Sequence, residues 1–185
     1  MSDCIASIKA RRACRKFLPT PVEKEKLTQI LEAAQIAPSA MNQQPWHFYV
    51  VSNQDIIAQI SDPAQEIIGK ERPAFIERAQ KNGVKSGVFY DAPTVIFISC
   101  KKEGTRFRQL DIGIATENIM LAATSLGLGS IAIGCFVDVV KAQTEAALKL
   151  SADEEVLIAI PIGYADNSIP LPPQNRRADN ITFIE

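Results

Sequence analysis

The chain has a single histidine, His47, among its 185 residues, and its four cysteines, Cys4, Cys14, Cys100 and Cys135, form no Cys-x-x-Cys pair. A zinc site needs several imidazole or thiolate ligands, so these counts give none any support. A Ser-His-Asp or Cys-His hydrolase needs a histidine beside its nucleophile, and His47, in an apolar run next to Trp46, reads as structural. Four scattered thiols in a chain of this size make no disulfide framework; most read as small buried hydrophobes. An excess of one charge is also missing. With 20 Lys and Arg against 21 Asp and Glu, the net charge of −1 argues against a nucleic-acid partner. No stretch approaches the roughly 20 consecutive apolar residues of a membrane span. Met1-Ser2-Asp3-Cys4 lacks the basic start and apolar stretch of a secretion signal, so the expected compartment is the cytoplasm. There is no Walker lysine and no full Gly-x-Gly-x-x-Gly. Gly127-Leu128-Gly129-Ser130 follows a helical stretch and precedes a strand-like one, the reverse of the order that aims helix amides at a pyrophosphate. A dinucleotide held in a Rossmann half is not indicated, whereas recognition of one phosphate remains open.

What is present is an ordinary globular composition, 46% apolar, read most simply as one domain over residues 1–185. Helical spacing predicts a first short helix over 3–11 and a second over 22–37, stopped by Pro38. A β-branched and aromatic run predicts a strand from His47 through Ser52, followed by a helix over 54–60. Residues 61–90 are the least legible part and read as one or two helices of a lid or cap. Thr94–Cys100 is almost wholly apolar, which predicts a central strand covered on both faces. A helix over 106–126, apolar on nearly every side, is expected to be buried inside the domain or against a partner subunit, with Gly127 as its left-handed cap. A strand over 130–136, a helix over 138–150 and a strand over 155–163 complete the core. The tail from Ala165, ending on Phe183-Ile184, is expected to wrap another part of the molecule. The mixture reads as an α+β sandwich, a sheet flanked by helices.

Two segments stand out chemically. Arg11, Arg12 and Arg15 lie next to a helix end, and guanidinium groups fork onto phosphate oxygens, although a solvated charged turn is the commoner fate of such a triplet. Pro38-Ser39-Ala40-Met41-Asn42-Gln43-Gln44-Pro45-Trp46 joins the second helix to the first strand. Carboxamides donate and accept together, which suits the edge of a planar heterocycle, and loops between rigid elements often carry binding groups. The alternative is a plain solvated connection with a packed Trp46. Asp111 and Asn118 face the same way along the long helix, and a buried carboxylate there needs a partner.

Together these segments resemble the nitroreductase family of FMN-dependent NAD(P)H oxidoreductases. Arg11, Arg12, Arg15 and Phe17 match the family's Arg-Arg-Ser-x-Arg-x-Phe, and Pro38, Ser39, Asn42, Gln44, Pro45 and Trp46 match its Pro-Ser-x-x-Asn-x-Gln-Pro-Trp. Asp111–Asn118, Ile133-Gly134-Cys135-Phe136, Ile160–Tyr164 and Arg176 continue the similarity. The resemblance implies a central, mainly antiparallel sheet flanked by helices, and a homodimer with FMN at the subunit interface. It implies that Arg11, Arg12 and Arg15 with Arg176 hold the phosphate and ribityl end, with Ala13 in the place of the usual serine and lacking its hydroxyl. It implies further that Pro38, Ser39, Ala40 and Asn42 reach the isoalloxazine from the other subunit. The strand end Ile133-Gly134-Cys135 would bring the N–H groups of Gly134 and Cys135 near the ring's reactive edge. NAD(P)H is the implied co-substrate and a nitroaromatic, a quinone or a similar small molecule the implied acceptor. No protein acid or base and no metal is called for. A specialised family member of dehalogenase or flavin-fragmenting type, or an FMN-storage protein, are the alternatives. The resemblance implies a further polar flavin contact from the segment before the central strand, for which Lys81 and Lys85 are the basic candidates in 61–90, and Gln174 stands where some members have lysine.

Overall fold

The computed structural model describes residues 4–169, 176–177 and 179–184. In chain order its elements are α1 (Cys4–Ala10), α2 (Lys24–Gln35), β1 (His47–Val51), α3 (Gln54–Glu71), α4 (Pro73–Lys81), β2 (Thr94–Lys101), α5 (Arg108–Ser125), β3 (Gly129–Ser130), α6 (Lys141–Leu148) and β4 (Glu154–Gly163). The strands form one sheet in the order β1-β2-β4-β3, every neighbour antiparallel. In register, Tyr49 faces Phe97 and Ile96 faces Ile160, with an irregularity between Ile98 and Ser99.

The sheet separates two cores, as the unbroken apolar run of β2 requires. Val95 and Phe97 pack with Ile57, Ile60 and Ile68 of α3 and Ile76 of α4. Ile96 and Ile98 point the other way, onto Ile30 and Ala34 of α2 and Ile112, Ile119 and Ala123 of α5. Side chains alternate across a strand, so a strand covered twice must be apolar at every position. Each buried isoleucine contributes about 1.5–3 kcal/mol. Among the described residues no helix is long and apolar enough to cross a membrane.

Two element boundaries depart most from the sequence reading. Helix α3 runs to Glu71 rather than stopping near Ile60, and it carries Pro63 internally. The buried stripe Ile57, Ile60, Ala64 and Ile68 continues across the proline and outweighs the backbone hydrogen bond lost there. Strand β3 is two residues long, not seven. Both Ile133 and Phe136 are buried, and a spacing of three cannot keep two side chains on one face of a strand, so the chain turns between them. Helix α5 is not buried all round. Ile112, Ala115, Ile119 and Ala123 face the core, but Leu110 is 65% exposed and Ile114 40%, because nothing in the single chain covers that side. Its exit is as expected: Gly127 has φ +75°, and Leu128 N–H donates to the Ala123 carbonyl at 2.8 Å.

Candidate functional site

The arginine segment is an extended strap clamped along two edges of the fold. Ala13 bridges to Ser130 and Phe17 to Ala165. Cys14 N–H donates to the Ser130 carbonyl at 3.0 Å, Leu18 N–H to Tyr164 at 2.8 Å, and Asp166 N–H to Lys16 at 3.1 Å. Cys14 and Phe17 point inward and are buried. Burial pushes the Cys14 thiol up, against the weaker downward pull of a backbone hydrogen bond with Lys16, which leaves it a poor nucleophile. The strap lies so close to β3 that a Cβ on Gly129 would meet the Cys14 Sγ at 2.8 Å and its Cβ at 2.9 Å.

Beside the strap is a cavity of about 580 Å³, lined by Arg12, Ala13 and Arg15, by Arg78 of α4 and Asn82 at that helix's C-terminal cap, by Gly127–Gly129 and by Tyr164–Asn167. That volume is typical of a small-molecule site. Its one lining carboxylate, Asp166, is already engaged by Lys16 at 3.2 Å and by Ser168 N–H at 2.9 Å. Those contacts, the Ser168 amide foremost, hold the Asp166 carboxyl below its usual range. Among the described residues Arg12, Arg15 and Arg78 have no carboxylate partner, so the cavity is a positively charged socket. Arg11 points elsewhere, its Nε 3.5 Å from Glu117 of α5.

On the other side of Arg15 stands Tyr90, a residue the sequence reading did not single out. It is 5% exposed, and both Tyr90 and Asp91 have positive φ, +57° and +58°. The Asp91 carboxylate stabilises this left-handed turn by accepting Lys85 N–H and Ser86 N–H, each at 2.7 Å. Burial pushes the Tyr90 hydroxyl up, while the Arg15 guanidinium pulls it down; Cys135 and Arg78 are its further electrostatic neighbours. Tyr90 thus links the arginine strap to the Gly134–Cys135 turn. That turn is rooted on both sides: Ile133 exchanges hydrogen bonds with Ala159 at 2.8 and 2.9 Å. Phe136 stands edge-on to Phe89 and Phe97, with centroids 5.3 and 6.0 Å away. Ile133 is buried, and Gly134 and Cys135 are exposed. No local pattern marks Tyr90; only its contact with a distant arginine does.

The loop after α2 is tightly built. Ser39 Oγ accepts from Gln44 N–H at 2.9 Å, Gln44 Nε2 donates to Asn42 Oδ1 at 2.9 Å, and Ala40 N–H donates to Asp111 Oδ1 at 3.1 Å. Met41, Asn42 and Gln44 all sit at positive φ, +52°, +54° and +45°. Non-glycine residues there are strained, and such strain concentrates at binding sites. Asp111 is the buried carboxylate of α5, and its second oxygen has no partner among the described residues. Asn118 Nδ2 donates to the Ala33 carbonyl, tying the same helix to α2. Pro38, Ser39, Ala40 and Asn42 are not on the cavity wall, nor is Arg176, which is exposed. Within one chain the two groups of predicted residues therefore stay apart. Lys81 and Lys85 are exposed and off the cavity; Arg78 and Asn82 are the polar residues that the cap brings to it. Gln174 lies outside the described residues.

The chain and its fold match a known class. The sequence profile of the Nitroreductase family matches residues 8–164. A nitroreductase with bound FMN from Desulfitobacterium hafniense superposes with a TM-score of 0.86 at 28% identity, covering 100% of both chains. The chain belongs to the nitroreductase family. A Methanothermobacter thermautotrophicus protein, provisionally named an NADH dehydrogenase/NAD(P)H nitroreductase, is 33% identical over 168 residues, 88% of this chain and 77% of its own. An iodotyrosine deiodinase of Danio rerio is 27% identical over 195 residues, 94% of this chain and 64% of the deiodinase.

Proposed function

We infer that the protein is an FMN-dependent oxidoreductase that carries electrons from NAD(P)H to a nitroaromatic, a quinone or a similar small acceptor. The observation that carries this reading is the cavity beside the strap, where Arg12 and Arg15 stand without carboxylate partners. Unneutralised guanidinium groups in a walled site call for an anion, and a flavin mononucleotide carries one phosphate on a body that fits the cavity's size. When bound, FMN supplies the two-electron relay between nicotinamide and acceptor.

The residues of the chain have the following roles in this account. Arg12 and Arg15 neutralise the phosphate and the polar end of the ligand, while Arg11, turned to Glu117, and Arg176, off the cavity wall, take no part within the single chain. Ala13 contributes backbone only. Tyr90 stands between Arg15 and Cys135 as an electrostatic neighbour of both. The Gly134–Cys135 turn is an exposed, rigidly rooted loop, from which its backbone N–H groups could stabilise negative charge as it builds on a ligand. No side-chain acid or base is needed.

The loop bearing Pro38, Ser39, Ala40 and Asn42 is preorganised yet remote from its own chain's cavity. The face of α5 bearing Leu110 and Ile114 is apolar and uncovered. Both features fit a homodimer in which this loop completes the partner's site, each chain acting as one domain. The deiodinase similarity keeps a dehalogenating member of the family as the second reading.

The test is anaerobic oxidation of NADH and NADPH by the purified, FMN-loaded protein, with nitrobenzene, 1,4-benzoquinone and iodotyrosine as acceptors. Turnover with the nitroaromatic or the quinone supports the first reading, and turnover with iodotyrosine alone favours the second. A flavin-bound protein that oxidises neither nucleotide overturns both and leaves a storage role.

A further inference from the structure

We propose that Arg11 serves the subunit seam and not the cofactor phosphate: paired with Glu117, it neutralises the one charge on the uncovered stripe of α5 and so lets a second copy of the chain close over that stripe. The proposal rests on the homodimer of the reading above and names the contact on which its assembly turns.

The first support is the geometry of α5. Leu110, Ile114, Glu117 and Leu121 are spaced by four, three and four, which sets them on one face of the helix. The opposite face, with Ile112, Ala115, Ile119 and Ala123, is buried in the chain's own core. Leu110 and Ile114 are exposed. Glu117, whose side chain is 46% exposed, is the only charged member of the stripe. Helix α1 packs against α5 and adds the exposed Ile5 and Ile8 to the same apolar surface.

The second is the commitment of Arg11. Its sequence neighbours Ala10 and Arg12 both line the cavity, but Arg11 does not. Its Nε stands 3.5 Å from Glu117 Oε1. On an open surface such a pair stabilises little. On a face that becomes buried it matters far more, because a carboxylate taken out of water without its partner is strongly unfavourable. A two-fold seam brings the Glu117 of each copy into one closed region, and cancelling that charge within each chain leaves both faces neutral.

The third is Gly113, on the same side of α5 between Leu110 and Glu117. A Cβ there would meet nothing within 4 Å. Glycine weakens a helix interior, and nothing in its own chain packs against this one. An empty position of that kind suits close approach by another backbone. The adjacent Asp111 braces the loop after α2 by accepting Ala40 N–H at 3.1 Å. A second copy seated on this face therefore stands beside the loop that would complete its site.

The experiment is sedimentation equilibrium of the FMN-loaded protein, with FMN fluorescence quenching alongside. It compares wild type, Arg11→Met, Glu117→Met, the double variant Arg11→Met/Glu117→Met, the charge-swapped Arg11→Glu/Glu117→Arg and Gly113→Ala. Each single Met variant should raise the dimer dissociation constant about tenfold or more. The double variant and the swap should return it to within about threefold of wild type, and these restored dimers should bind FMN as wild type does. Gly113→Ala should weaken the dimer, although alanine is the better helix former. Single variants as tightly dimeric as wild type make the pair an ordinary surface contact and overturn the proposal. So does a restored dimer that no longer binds FMN, which returns Arg11 to the phosphate. A double variant and a swap that both stay dissociated overturn it too, since the two side chains then act by something other than their charges. A Gly113→Ala dimer of wild-type affinity overturns the placement of the seam on this face. A wild type that is monomeric with FMN bound overturns the homodimer itself, and this seam with it.

Discussion

Replacing Gly129 with alanine should damage both the fold and the cofactor site, because the new methyl group has nowhere to go. It would lie 2.8 Å from Cys14 Sγ, 2.9 Å from Cys14 Cβ and 3.4 Å from Ala165 Cβ. Rotating the thiol relieves only the first contact. The Cys14 Cβ is fixed by its backbone, which is held to Ser130 by the 3.0 Å hydrogen bond. Overpacking a tight site costs about 1–3 kcal/mol. For a chain of this size each kcal/mol lowers Tm by roughly 2–4 °C, so the variant should melt about 2–12 °C below wild type. The strap must also move away from β3, carrying Arg12 and Arg15 with it. Loss of one charge-assisted hydrogen bond, about 1.5–3 kcal/mol, would weaken FMN binding roughly tenfold to a hundredfold. Thermal unfolding of the flavin-free protein gives the first number and quenching of free FMN fluorescence the second. In Gly129→Ala/Cys14→Ala the Sγ contact disappears and the Cβ contact stays, so part of each loss should be recovered. A Gly129→Ala protein with wild-type Tm and wild-type FMN affinity would refute the claim that this close approach positions the arginines.

Asp111→Ala removes the acceptor of the Ala40 N–H and should let the strained residues Met41, Asn42 and Gln44 relax; faster proteolysis within 39–44 and at least tenfold weaker FMN binding are expected. Leu110→Glu places a charge on the uncovered face of α5; sedimentation should show a monomer, and that monomer should purify without flavin because the partner's loop is missing. The Asp166 carboxyl is held below its ordinary value of 3.8, chiefly by the Ser168 amide and also by Lys16, so its contribution to stability is present above that value and fades as pH falls through the folded-state value. Asp166→Asn should therefore flatten the acid limb of the Tm–pH curve, leaving its shape above pH 5 unchanged.

The parts of the fold legible in the sequence were those governed by local pattern. The all-apolar stretch of β2 implied cover on both faces, and it has helices on each. Gly127 implied a helix end and caps one. The resemblance supplied the antiparallel order, which periodicity could not. What was illegible depends on contacts between distant segments. Pro63 reads as a helix breaker, yet a stripe of buried aliphatic side chains carries α3 through it. Ile131 and Ile133 read as a continuing strand, but the anchoring of Phe136 among Phe89 and Phe97 turns the chain at Gly134. The all-round apolar pattern of α5 left open cover by the domain or by a partner subunit, and the single chain leaves the face of Leu110 and Ile114 bare. At the candidate site the arginine pattern was visible, but that Arg11 faces Glu117 while Arg12 and Arg15 face the cavity was not. Tyr90, Arg78 and Asn82 lie in the stretch with the weakest pattern and are placed by α3, α4 and the Asp91 turn. Asp111 was recognisable as a carboxylate in need of a partner; that the partner is the Ala40 amide required the fold.

The most direct test of the account is the visible absorption spectrum of the protein, reconstituted with FMN, desalted and then treated with NADPH or NADH in the absence of oxygen. The account predicts a yellow protein with flavin near one per chain, whose band bleaches on addition of at least one nucleotide and returns when a nitroaromatic or a quinone is added. A protein that stays colourless after incubation with FMN would contradict it, since Arg12 and Arg15 would then be surface charges beside an ordinary cleft.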